Sequence, residues 1–345
     1  MRTHLITGGS GFIGARLARR LVEEGEAVRI LDLIRDPDLP EGIAFHQGSI
    51  CDRAVVASAM KGVDVVHHHA ALVAQAGAGR AYDAVNVQGT RIVAEEAVRA
   101  GVGAFVHVSS TAVFGLPPVG AITADTVPRP FEHYGRSKLA GEHLVTDICG
   151  RAGIPRIIIR PRATLGAGRL GIYQILFQWI AEERRLFIIG DGHNRIQFIH
   201  ADDLISAILL TLSQGQGGIY QGGIYNVGTD RFGTLREDLE GLVAYAGSRS
   251  RITGLPVAPA MAALGLLRTA RLSPLVPWQY RTYHRDCWFD VEPLKALGWR
   301  PRHSNADMLA ESYDWFRANR ASRKGASAHR SLIGQQALGL LRRLS

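Results

Sequence analysis

The stretch Thr7-Gly8-Gly9-Ser10-Gly11-Phe12-Ile13-Gly14 lies between a short apolar run, His4 to Thr7, and an amphipathic one, Phe12 to Glu24, in which Ile13, Leu17 and Leu21 recur at spacings of four. That order reads as strand, glycine turn, helix. Gly8, Gly11 and Gly14 meet three needs of an anion cradle. The turn must be tight, the backbone must approach a pyrophosphate closely, and the helix must pack near its strand with its first amides facing the charge. A glycine triplet alone is also an ordinary turn, so its context decides. Asp32 ends the next apolar run, Ala27 to Leu31, about 20 positions on, where a dinucleotide site needs an acid. Its carboxylate can accept hydrogen bonds from both adenosine ribose hydroxyls and would repel a 2′-phosphate. The reading is NAD in preference to NADP, with Arg35 nearby as the residue that argues the other way.

Working outward, strands are expected at Val63 to His67, Ala104 to Val108 and Arg156 to Arg160, with helices at Asn86 to Arg99 and Tyr134 to Cys149. Such alternation predicts α/β architecture with a parallel sheet covered on both faces. From about Gly166 the texture changes. Helices are expected at Tyr173 to Glu183, at Asp202 to Leu212 (returning to the first domain) and in the closing stretches Asp290 to Trp299 and Asp307 to Arg317. Pro256 to Pro277 is apolar and proline-punctuated, and Gly217 to Tyr220 recurs at Gly222 to Tyr225 as a small duplication read as surface loop. The expected division is a dinucleotide-binding domain over 1–165, rejoined by 196–228. A smaller substrate domain takes 166–195 and 229–316, and 317–345 is a basic tail.

The chain has 345 residues, 46% hydrophobic and 21% charged, a globular composition. Cys51, Cys149 and Cys287 show no paired spacing, as in a reducing compartment. The first residues enter a strand directly and no apolar run approaches the roughly 18 to 20 residues of a bilayer span, so a soluble, cytoplasmic protein is expected. Of the net charge of +9, seven positives come from Arg317, Arg320, Arg323, Lys324, Arg330, Arg342 and Arg343, with no acid after Asp314. The body is near neutral, which argues against nucleic acid as a partner. In the tail, Ile333, Ala337, Leu340, Leu341 and Leu344 at helical spacing among arginines suit peripheral contact with an anionic membrane or a partner, and equally a frayed terminus. His67, His68 and His69 do not read as a metal site, because His68 on a strand faces away from its neighbours.

Tyr134-Gly135-Arg136-Ser137-Lys138 puts a phenol and an ammonium on one helix face. Alone, this is usually a helix face with a solvated lysine. A cation beside the tyrosine, together with an oxidised nicotinamide, favours the phenolate and lets it serve as a base near neutrality. Ser110, at a strand end, would orient the substrate oxygen. With the glycine turn upstream in the right order, Ser110, Tyr134 and Lys138 form the candidate catalytic trio.

On these residues the sequence resembles the extended short-chain dehydrogenases, the NAD-dependent epimerase/dehydratase family, from Thr3 to about Phe316. Further matches are His68-His69-Ala70-Ala71, Asn86-Val87-Gln88-Gly89-Thr90, Arg160-Pro161, Phe198-Ile199-His200-Ala201-Asp202-Asp203, Tyr225-Asn226-Val227-Gly228 and Leu297-Gly298-Trp299-Arg300-Pro301. The resemblance implies a Rossmann-type doubly wound sheet with a partly discontinuous C-terminal domain. It also implies a homodimer through the helices starting near Asn86 and Tyr134, and a cofactor groove lined by Phe12, Ile13, Ser49, Ile50, Ala70, Ala71, Asn86, Tyr134, Lys138 and Pro161.

The departures bear on substrate. Ser49 stands where the family usually has an aspartate for the adenine amino group. Thr111 and Ala112 stand where sugar-nucleotide 4,6-dehydratases carry an acidic pair, which disfavours loss of water. Ala163 replaces an asparagine that touches the diphosphate, and the expected arginine before the aromatic-Ile-His segment appears as Ile196-Gln197, with Arg195 one step early. Arg162, Arg169, Arg195 and Arg285 are the candidate replacements, or else surface charges; Thr111 joins Arg162, Arg195 and Arg285 as a candidate substrate contact. The leading expectation is an NAD-dependent epimerase of a nucleotide-linked sugar. The alternative is a dehydrogenase of a hydrophobic secondary alcohol, resembling the 3β-hydroxysteroid dehydrogenase branch through the apolar stretch Leu255 to Trp278, Tyr283 and Trp288-Phe289-Asp290. That stretch reads equally as the core of the smaller domain.

Overall fold

Runs such as Ala104–Val108, in which every residue is buried, cannot be half-exposed strands; they belong in the middle of a sheet covered on both faces. In the computed structural model, which describes residues 1–74, 78–116, 120–169, 173–213, 222–269 and 277–319, seven strands form one sheet. They are β1 (Thr3–Thr7), β2 (Ala27–Asp32), β3 (Ala44–Gln47), β4 (Val65–His68), β5 (Ala104–Val108), β6 (Arg156–Pro161) and β7 (Gly223–Val227). Every pairing is parallel, in the order β7-β6-β5-β4-β1-β2-β3. The chain winds one way from β1 to β3 and the other from β4 to β7, so a crevice opens beyond the carboxyl ends of β1 and β4.

The helices α1 (Phe12–Glu23), α2 (Arg53–Met60), α3 (Thr90–Ala100), α4 (His133–Arg151), α5 (Tyr173–Ala181), α6 (Ala201–Ser213) and α7 (Leu235–Tyr245) divide among four apolar clusters, one of which packs Leu204 and Ile208 of α6 with Val106, Ile157 and Ile159 of the sheet. Leu17 and Leu21 of α1 pack with Ile6, Ile30 and Ile205 on one face of the sheet. Val56, Val93 and Val145, from α2, α3 and α4, pack with Leu5, Val66 and Phe105 on the other. A separate cluster gathers Phe177, Leu186, Leu239, Met308 and Tyr313 around α5, α7 and the helix Asn305–Ala318. Among the described residues no helix is long and apolar enough to cross a membrane.

Several elements differ from expectation. β3 and α2 carry weak signals: β3 is four residues without full burial, and α2 is an eight-residue helix containing the β-branched pair Val55-Val56. Asp52 caps α2, its Oδ1 accepting from the amides of Ala54 and Val55 at 3.0 and 3.3 Å. The helix expected from Asn86 begins earlier, as a widened π turn over Asp83–Gly89 that runs into α3. The second copy of the small duplication is not surface loop: Gly223, Ile224 and Tyr225 enter β7 and pair with Ile157, Ile158 and Ile159. Its first copy, and the tail from residue 320, lie outside the described residues. The proline-punctuated stretch contains a helix, Val257–Thr269, and the region after Asp290 is helical only over Glu292–Ala296.

The glycine turn is held by close approach. A Cβ on Gly14 would stand 2.4 Å from the Gly8 carbonyl oxygen and 2.8 Å from Gly9 Cα, while Gly8, at φ +69°, would meet the Ala70 nitrogen at 2.7 Å. These neighbours are backbone and cannot swing aside. Gly14→Ala should lower stability in urea unfolding by about 1–3 kcal/mol, the cost of overpacking a well-filled site.

Candidate active site

The crevice is a cavity of about 400 Å3 that runs over the strand ends. At one end lie Gly8, Gly11, Phe12, Ile13, Gly14, Asp32, Ser49 and Ile50; in the middle Ala70 and Ala71; at the other end Ser110, Thr111, Tyr134, Lys138, Pro161 and Arg162. Asp32 is fixed by two amides: Ser10 N donates to Oδ2 at 2.9 Å and Leu33 N to Oδ1 at 2.7 Å. Each carboxylate oxygen keeps a lone pair for a ligand hydroxyl. Arg35 turns away, its guanidinium 5.6 Å from the Phe45 ring centre and 3.4 Å from the Ile43 carbonyl, so it does not offer the cleft a cation for a 2′-phosphate. Ser49 keeps its hydroxyl proton while Oγ accepts from Cys51 N at 3.1 Å. A cradle that a single Cβ would fill, with an acid at its ribose end, fits a dinucleotide.

Ser110 caps a short 3₁₀ turn, Thr111–Phe114, accepting from Ala112 N at 3.1 Å, and lines the cleft together with Tyr134. Burial raises the Tyr134 pKa; the nearby Ser110 hydroxyl and the charge of Arg169 oppose that rise. Lys138 is buried and its Nζ donates to the Val108 carbonyl at 2.6 Å. Desolvation pushes its pKa down to about 8, against the pull of Glu142. A phenol that shares its cleft with the Ser110 hydroxyl and the Lys138 ammonium, and on which the Arg169 charge acts, can accept a proton from a substrate alcohol.

Glu142 was not anticipated. It lies one turn beyond Lys138 on α4, buried, and takes both arms of the buried Arg160 on β6: Nε to Oε1 at 2.9 Å and Nη2 to Oε2 at 2.5 Å. Ser109 Oγ adds a bond to Oε1 at 2.5 Å. The spacing Tyr134, Lys138, Glu142 was a visible signal, one helix stripe that carries an acid on its buried side.

Three expected contacts sit elsewhere. Asn86 is buried behind the groove wall: it accepts from Leu72 N at 2.8 Å and donates to Leu72 O at 3.0 Å and to Ser137 Oγ at 3.1 Å. The π turn aims its amide at the chain, so it shapes the groove without lining it. Arg195 stacks on Trp288 and Phe232, 4.8 and 5.4 Å from their ring centres, outside the cleft. Arg285 lines a small adjoining pocket with Thr111, Arg162 and Cys287. Arg162 reaches the cleft, but its guanidinium donates to Thr111 Oγ1, Gln197 O and Cys287 O at 3.0–3.1 Å. Gln197, at the expected arginine position, is knitted to Thr229 and Phe289. The cleft is also lined by Tyr173, which sequence reading gave no site role, and by Tyr283 of the stretch that resembles the steroid dehydrogenase branch; burial raises both phenols, that of Tyr283 to about 12.

The histidines divide as strand alternation requires. His67 meets His4, Nε2 to Nδ1 at 3.0 Å, while His68 on the opposite face bonds Thr7 and Thr90 and stacks on His107. Among the described residues, one group has ligand atoms close enough to share an ion: His200, His303 and Glu311. Asp202 N donates to His200 Nδ1 at 3.2 Å, which leaves the proton on Nε2, and that proton goes to Glu311 at 2.8 Å. The nitrogen a metal would need is therefore already engaged.

The model of the NAD dependent epimerase/dehydratase family matches residues 4–228. The chain belongs to this family. It is thus an NAD-dependent enzyme of the extended short-chain dehydrogenase type, with the Rossmann fold described above. It is 40% identical, over 99% of its length and 86% of the relative's, to a protein of Sinorhizobium fredii (strain NBRC 101917 / NGR234) described as uncharacterized protein y4nG. It is also similar to the structure of MoeE5 in complex with UDP-glucuronic acid and NAD (26% identity, TM-score 0.73, 92% of this chain and 99% of that one). A third likeness is DesIV, a dTDP-glucose 4,6-dehydratase from Streptomyces venezuelae with NAD and TYD bound (27%, TM-score 0.72, 93% and 99%).

Removing the Glu142 carboxylate strands a buried guanidinium. Glu142→Ala should cost about 3–5 kcal/mol in chemical unfolding, far above the cost of a surface ion pair, and should lower the Lys138 pKa further.

Proposed function

We propose that the protein is an epimerase of a nucleotide-linked sugar, working by transient oxidation of one ring carbon to a ketone and return of the hydride to its other face. The observation that carries this is the charge layout of the cleft. Asp32, at the ribose end, is the one carboxylate among the described residues that line it, and the end with Tyr134 carries cations and hydroxyls. Eliminating water needs an acid for the departing hydroxyl. Thr111 and Ala112 supply none, so chemistry confined to a single carbon is the better fit, although dehydratases stand among the relatives.

In this reading the amides of the glycine turn hold the pyrophosphate and Asp32 the adenosine ribose. Bound NAD supplies the hydride acceptor and later the donor. Tyr134 takes the hydroxyl proton at its phenolic oxygen, Ser110 holds the substrate oxygen beside it, and Lys138 keeps positive charge near the phenol. Residues 1–165 with 196–228 hold the dinucleotide, and 166–195 with 229–316 hold the sugar. The same reading includes a homodimer through α3 and α4.

The test is to incubate the purified protein with UDP- and dTDP-sugars and follow both the product isomers and NADH. An isomer should form with no net NADH. Tyr134→Phe should lower kcat by about 10²–10⁴ with NAD affinity retained. Inertness toward every sugar nucleotide, with NADH accumulating on hydrophobic secondary alcohols, would replace this reading with a net dehydrogenase.

A further inference from the structure

The segment Gly166-Ala167-Gly168-Arg169 runs past the Phe12 ring at the side of the cleft as a strap pinned from three sides. Ser312 Oγ accepts from Gly166 N at 3.3 Å, Glu311 Oε1 from Ala167 N at 2.9 Å, and Arg16 Nη2 donates to the Ala167 carbonyl at 2.7 Å. Glu311 is itself held by His200, and Arg16 by Asp202 at 2.9 Å. Gly166 and Gly168 stand at φ +139° and +95°, conformations that let the strap bend this tightly. It ends by laying Arg169 over Phe12, with the guanidinium 5.6 Å from the ring centre.

Of the four arginines considered from sequence, Arg162 and Arg195 are engaged by protein groups and Arg285 faces the adjoining pocket. Arg169 lines the main cleft, and among the described residues its guanidinium has no hydrogen-bond or ion-pair partner. A cation taken partly out of water without a counter-charge is expensive, and a ligand anion removes that expense. Its position narrows the choice. Phe12 belongs to the glycine turn at one side, and the charge of Arg169 acts on Tyr134 at the other.

We propose that Arg169 is an anion clamp that takes a phosphate of a ligand lying between the glycine turn and Tyr134, and that Glu311 and Ser312 position it through the strap. This rests on the reading above that phosphate-bearing ligands occupy the cleft. Two ligands carry the chemistry: the pyrophosphate of NAD and the diphosphate of a sugar nucleotide. A planar guanidinium suits either, by paired charge-assisted hydrogen bonds.

Calorimetric titration of the whole chain with NAD, and separately with UDP and dTDP, distinguishes them. Arg169→Gln should weaken one of these ligands by about tenfold or more, the weight of a charge-assisted bond, with Arg169→Lys partly restoring it and the ligand-free unfolding midpoint held or raised, since the uncompensated charge is gone. Loss confined to NAD assigns the clamp to the cofactor; loss confined to the nucleoside diphosphates assigns it to substrate. Glu311→Gln should weaken the same ligand, and adding it to Arg169→Gln should cost nothing more, because its effect passes through the arginine. Affinities within twofold of wild type for every ligand would overturn the clamp. So would equal losses in the Gln and Lys variants together with a lowered midpoint. If the wild type binds NAD but neither UDP nor dTDP, while Arg169→Gln weakens NAD, the clamp stands and the sugar-nucleotide reading fails.

Discussion

The structure turns on one buried ion pair. Arg160 on β6 and Glu142 on α4 meet in bidentate geometry with Ser109 as a third partner, both charges almost wholly out of water. A pair of this kind contributes little net stability, because the attraction largely repays desolvation, yet it admits few alternative arrangements. It ties the helix of Tyr134 and Lys138 to the sheet at one height and rotation. Ser109 adjoins Ser110, so the hydroxyl and the phenol are registered by the same contact. The Lys138 bond to Val108, on the strand end that carries both serines, completes the link.

Around that anchor the cleft is graded in charge. Its carboxylate stands beside the glycine turn, neutral backbone and alanines occupy the middle, and cations with phenols close the far end. A ligand anionic at its centre and hydroxylated at its tip is oriented by this gradient before any single contact forms.

The parts legible in the sequence are those where local chemistry and geometry coincide. The glycine turn, Asp32 and the Tyr134–Lys138 face sit on strong periodic elements, and their neighbours in sequence are their neighbours in space. Asn86 was misplaced because a π turn rotates it away from where a regular helix would point it. Sequence left Arg195 open between a ligand contact and a surface charge because Trp288 and Phe232, the rings that hold its guanidinium, lie far along the chain. Glu142 and the strap contacts of Glu311 escaped because their meaning comes from partners 18 and 144 residues away. β3 and α2 escaped because short elements are shaped more by packing than by propensity.

The histidines threaded through β1, β4 and β5 have a consequence of their own. Burial lowers His4 to about 4 and His69 to about 3, and holds His67, His68 and His107 well below their ordinary value, so all five are neutral in the folded chain. The unfolded chain takes up protons at these residues near pH 6.5, where the folded one refuses them. Their contribution to the fold is therefore complete above that pH and drains away as the medium acidifies towards 4. Mild acid thus acts on the middle of the sheet, making its most deeply enclosed strands an acid-sensitive fuse.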